Sequence, residues 1–164
     1  MSQREAPDFN ARDFEEAASD LSALLRQGGT LGSGQGVTRP ECEALYQLGH
    51  GLYEQGRYSD AFKAFSMLVI YDHLEPRYLM ALGGASQMLD RYSDALVQYG
   101  AAAMISLDDP LPMFHSAECL VAMERLPEAA ESLELALSLC VAEAHEPVRA
   151  RAQALRHALL TRMQ

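Results

Sequence analysis

The sequence predicts an all-α superhelix of three helical hairpins of about 34 residues each, set between an N-terminal helix and a C-terminal capping helix. Three observations predict it. The segment RYSDA at 57–61 recurs at 91–95 and, as RLPEA, at 125–129, so that successive copies are equally displaced. The same displacement carries LG at 48–49 to LG at 82–83 and SA at 116–117, carries Phe65 to Tyr99 and Leu133, and carries Pro76 to Pro110. Within the copies, apolar residues fall at helical rather than strand spacing. A fixed period of this order marks a stacked repeat, and its value is that of the tetratricopeptide unit.

The elements follow in chain order. Residues 1–41 hold an apolar stripe, Phe14, Ala17, Ala18, Leu21, Leu24 and Leu25, of a helix that stops at Gly28 and Gly29; a Gly-rich linker at 31–37 follows. The repeats are assigned to 42–75, 76–109 and 110–143. In the first, Leu45, Leu48 and Leu52 give one stripe, and Gly49 lets the second helix come close. The turn falls at 55–57, Ala61 is the small residue at the helix crossing, and Phe65 and Leu68 continue the buried face. Pro76 and Pro110 stand where new helices begin, because a missing amide hydrogen costs little there. In 144–164, Val148, Ala152, Leu155, Leu159 and Met163 recur at helical spacing among Arg149, Arg151, Arg156 and Arg162, as expected of the cap that a repeat stack needs.

Composition narrows the function. Lys and Arg number 13 against 23 Asp and Glu, a net charge of −10, which disfavours a nucleic-acid partner bound through phosphates. The acidity lies in 42–143, with five basic and 15 acidic residues, and is either a solvated convex face or a field that helps select partners. No stretch is long and apolar enough for a membrane span, and no apolar run follows the charged first residues, so the chain is expected to stay in the cytosol. Cys42, Cys119 and Cys140, without a CxxC spacing, are expected to be small buried hydrophobes in a reducing compartment.

Catalytic signals are thin. The sequence holds no GxxxxGK[ST], HExxH or GxSxG motif, and the glycines from 28 to 36 follow no strand and precede no lysine. His115, Glu118 and Cys119 lack the fourth ligand and second helical pair that a metal would need. Asp108 and Asp109 suit a helix N-terminus better than a carboxylate pair. No enzyme activity, catalytic residue, cofactor or metal is expected.

What such a stack offers is a surface, lined by the first helix of each repeat. The fifth positions are Tyr46, Met80 and Phe114; the ninth His50, Gly84 and Glu118; the twelfth Tyr53, Gln87 and Val121. Lysine and asparagine, which clamp acidic peptide tails in other tetratricopeptide domains, are absent there. An apolar, aromatic and Met-bearing groove suits an extended peptide with hydrophobic anchors. The competing reading of Tyr46, Tyr53 and Phe114 is packing between helices.

Several segments taken in order, QGGTL at 27–31, LYQL at 45–48, GRYSDA at 56–61, DHLEPRY at 72–78 and PMFHSAECL at 112–120, resemble the SycD/LcrH/IpgC class of type III secretion chaperones over about residues 14–140. The resemblance implies an acidic bacterial cytoplasmic chaperone that holds hydrophobic translocator proteins as extended segments before export. The peptide-binding residues it implies are Tyr46, His50, Tyr53, Met80, Gly84, Phe114 and His115, with His73 a further candidate; it also implies a homodimer formed through Phe14, Leu21, Leu24 and Leu25. Some members also bind a transcription activator when free of translocator, and a generic interaction scaffold is the remaining alternative. Two departures stand out: GSGQG at 32–36 where relatives continue with an apolar stretch, and His50 where an aromatic residue is common.

Overall fold

In the computed structural model, which describes residues 23, 29–34 and 36–162, each long helix packs on its neighbours in sequence. Helices α1 (Arg39–Glu54) and α2 (Tyr58–Tyr71) form the first hairpin, α3 (Pro76–Met88) and α4 (Tyr92–Ile105) the second, and α5 (Leu111–Ala122) and α6 (Leu126–Leu139) the third. A 3₁₀ turn, Glu143–His145, leads into α7 (Glu146–Arg162), which packs on α6 and α5. Ahead of α1, one helical turn, Leu31–Gly34, rests on α2 so closely that a Cβ on Gly32 would come within 2.8 Å of the Tyr71 carbonyl oxygen. The expected dimer residues Phe14, Leu21, Leu24 and Leu25 lie outside the described residues.

Local chemistry explains where the helices start and turn. Thr38 and Glu41 close a reciprocal capping box at the head of α1, with the Thr38 amide donating to Glu41 Oε2 at 2.8 Å. The recurrent RxxD/E segment opens each second helix with an ion pair one turn long: Arg57 with Asp60, Arg91 with Asp94, Arg125 with Glu128. These repeated charges are therefore structural. Between the two helices of each hairpin one residue is left-handed: Gly56 (φ 74°), Asp90 (φ 58°) and Glu124 (φ 58°). Only the first copy uses the residue that accepts this conformation freely.

The core repeats with the same period. A Cβ on Gly49 would stand 2.5 Å from Phe65 Cε1, and a Cβ on Gly83 would stand 2.5 Å from Tyr99 Cε1. Each glycine is thus the seat of an aromatic ring from the following helix. Where the ring becomes Leu133, the seat becomes Ala117, and both are fully buried. Leu48, expected on the buried stripe, is instead 57% exposed. At 100° per residue, turning Gly49 toward Phe65 swings Leu48 outward, and the buried side of α1 runs through Cys42, Leu45, Gly49 and Leu52. The cysteines are free and buried.

Helix α7 buries Ala152 and Leu159 against the third hairpin. Its arginines reach back across the interface: Arg151 to Glu118 at 3.3 Å, Arg156 to Glu134 at 3.1 Å and Arg162 to Glu124 at 2.9 Å. No helix among the described residues is long and apolar enough to cross a membrane.

Candidate functional site: the groove between first helices

Because α1, α3 and α5 stand side by side, residues three or four apart on each share one face and together line a groove of about 550 Å³. Tyr46, His50 and Tyr53 come from α1, Met80, Gly84 and Gln87 from α3, and Leu111, His115 and Glu118 from α5, while Phe65 and Tyr99 reach in from the second helices. The seated rings of the core are therefore also the floor of the groove.

One end is aromatic. The Tyr46 and His50 rings meet edge to face at 4.5 Å, His50 meets Phe65 at 5.5 Å, and Tyr46 lies 5.6 Å from Tyr78. Arg77 covers the outer face of Tyr46 at 5.2 Å while bonding Glu75 and Glu43. Burial pushes the Tyr46 and Tyr53 phenols above their ordinary range, against a smaller downward pull of Arg77 on Tyr46. Both stay neutral, as rings that meet an apolar ligand should.

The other end is polar and internally satisfied. The Tyr99 hydroxyl donates to Gln87 Oε1 at 2.9 Å, and its ring stacks on His115 at 5.4 Å. His115 Nδ1 lies 2.7 Å from Glu118 Oε2, and Arg151 donates to Glu118 Oε1. Burial works to raise the Glu118 pKa, but hydrogen bonds from His115 and Gln87 and the charges of His115 and Arg151 outweigh it, so the carboxyl sits below its usual range and is ionised. Beneath this cluster, burial pushes the Cys119 thiol up to about 12, which leaves it protonated and unreactive. Between the two ends Gly84 keeps the groove open: a Cβ there would lie 3.9 Å from the Tyr53 and Tyr99 hydroxyls.

The low calcium response locus protein H of Yersinia pestis is 33% identical over 127 residues, 77% of this chain and 76% of that protein. Among solved structures, the type III secretion translocator chaperone SycD of Yersinia enterocolitica superposes with a TM-score of 0.76 at 30% identity, covering 79% of this chain and 98% of SycD. PcrH of Pseudomonas aeruginosa, solved with the chaperone binding region of PopD, superposes equally well at 35% identity, covering 79% of this chain and 98% of PcrH. The chain belongs to the type III secretion translocator chaperones. No family model matches it.

In this translocator chaperone six of the expected peptide-binding residues line the one groove: Tyr46, His50, Tyr53, Met80, Gly84 and His115. Phe114 does not. It is 2% exposed and packs with Ala117, Leu120 and Leu133 in the core of the third hairpin, because its neighbour His115 takes the groove-facing direction. His73 is exposed in the turn between α2 and α3 and lies outside the groove lining. Sequence reasoning left Gln87 and Glu118 off the site although their register positions pointed to them. Arg77 had no such signal, since its place over Tyr46 depends on carboxylates from two separate segments.

Proposed function

We propose that this chaperone holds an extended, apolar segment of a type III translocator in the groove before export, keeping the client soluble and apart from other translocators in the bacterial cytosol. One observation carries the reading: a continuous trough of aromatic and Met side chains lies open at the surface, while polar groups at its far end are bonded to one another. A partner that captures an aggregation-prone segment lowers its free concentration by mass action. The PcrH complex with the PopD region supports the same occupant. No catalytic step, metal or cofactor enters this reading. Self-association through Phe14, Leu21, Leu24 and Leu25 is part of the proposal, in keeping with SycD, which has been solved as an alternative dimer.

The test is co-expression with translocators, with the soluble fraction as readout, alongside Gly84→Leu. Leucine replaces a helical glycine, which favours the helix by about 0.8 kcal/mol, while its side chain fills the groove. A folded Gly84→Leu protein that no longer solubilises the translocator is the expected result. Equal solubility with and without the chaperone, or with either form of it, overturns the reading. Size-exclusion chromatography with light scattering on a Leu21→Asp/Leu24→Asp variant checks the dimer; an unchanged mass refutes it.

A further inference from the structure

The trough continues past His115. A second hollow of about 410 Å³ lies between α5 and α7, bordered by Phe114, Val121, Ala154 and Leu155 and reaching Glu118, which also lines the main groove. The repeat explains why it is there. Positions five and twelve carry Phe114 and Val121 on α5, and one more step of the same displacement carries them to Val148 and Leu155 on α7. Helix α7 therefore stands in the register of a fourth first helix, and the hollow beside it is the counterpart of the space between α1 and α3.

At one position the chemistry changes. Gly49, Gly83 and Ala117 are the seats for side chains of a following helix, and Arg151 takes the fourth equivalent place. Arg151 is exposed rather than seated beneath a ring, so a long side chain fits there. The Arg151 guanidinium lies 4.5 Å from the centre of the Phe114 ring and 3.3 Å from Glu118. Arg151 thus spans the mouth of an apolar hollow and covers the ring beneath it.

The geometry points to a second client subsite between α5 and α7, which takes one further aliphatic side chain of the same extended segment once Arg151 moves aside. This inference rests on the main groove holding such a segment. Two features favour that occupant. Glu118 borders both hollows, so one chain can pass from the first to the second without leaving the surface. The Arg151 side chain is already 56% exposed, so its charge stays in water when the stem swings off Phe114, while Glu118 keeps its bond to His115.

The experiment titrates the full chain, ¹³C-labelled at its methyls, with a synthetic peptide of the PopD chaperone binding region. The Met80 methyl reports the main groove, and the Val121 and Leu155 methyls report the second hollow. The expected result is that all three shift with one midpoint. Ala154→Trp, which fills the hollow from the exposed side of α7, should weaken binding about tenfold, the effect of losing one buried aliphatic contact, while the Met80 shift still saturates. A motionless Met80 methyl defeats the main-groove reading and this one with it. If Met80 shifts while Val121 and Leu155 stay put, or if a folded Ala154→Trp chain binds as tightly as the parent, the second subsite alone is overturned.

Discussion

Replacing Gly83 by alanine tests the packing logic at its tightest point. The new Cβ would stand 2.5 Å from Tyr99 Cε1, 2.8 Å from Cδ1 and 3.0 Å from Cζ, so the ring has to move. Tyr99 is 1% exposed and its hydroxyl is bonded to Gln87, so the ring cannot retreat without losing contacts. Overpacking of this kind costs about 1–3 kcal/mol, and a weakened Tyr99–Gln87 bond about 1 more. Alanine in place of a helical glycine returns about 1 kcal/mol. The net is a loss of about 1–3 kcal/mol, or a fall in melting temperature of roughly 3–10 °C for a chain of this size. The matched control is Gly100→Ala on α4, where nothing lies within 4 Å of the added carbon and only the gain of about 0.5–1 kcal/mol remains. Heat and urea unfolding followed by circular dichroism at 222 nm measures both. The third hairpin, with Ala117 opposite Leu133, suggests the rescue: in Gly83→Ala/Tyr99→Leu the two changes should cost less than their sum. Equal shifts for Gly83→Ala and Gly100→Ala would refute the seat-and-ring account.

Three further outcomes follow from the same structure. Phe114→Ala should lower stability by about 3–5 kcal/mol in urea unfolding, as loss of a buried ring does; a variant that melts like the parent and loses only client binding would restore Phe114 to the groove. Glu118→Gln should be less stable than the parent at neutral pH, with the difference closing on acidification: a carboxyl held below its usual range contributes stability above that range and loses it as pH falls through its folded value, so a gap unchanged from pH 7 to pH 3 would sink the network. Gly56→Ala, at φ 74° with nothing near the added carbon, should cost about 1 kcal/mol from left-handed strain alone, whereas Gly51→Ala in α1 should stabilise; melts that rank them the other way refute the turn assignment.

The fold was legible in the sequence because a stacked repeat turns long-range packing into a short-range pattern. The glycine or alanine at the seat and the ring or leucine that fills it lie on adjacent helices joined by a tight turn, so both partners fall inside one repeat and recur with its period. Counting positions on the same ladder placed Tyr46, His50, Tyr53, Met80, Gly84, Gln87 and Glu118 along the groove, whereas in the third repeat it pointed to Phe114 where the structure has His115.

Rotation about each helix axis was not legible at that level. One residue is 100°, and that separates Leu48 from Gly49 and Phe114 from His115, pairs in which one member faces the core or groove and the other turns elsewhere. The sequence by itself determined how many hairpins stack, where they turn and which helices border the trough, since those follow from spacing. Only the tertiary structure decided which of two adjacent side chains enters the trough and that Arg151 and Glu118, on different helices, meet at its edge, because both depend on the angle at which one finished helix settles against another.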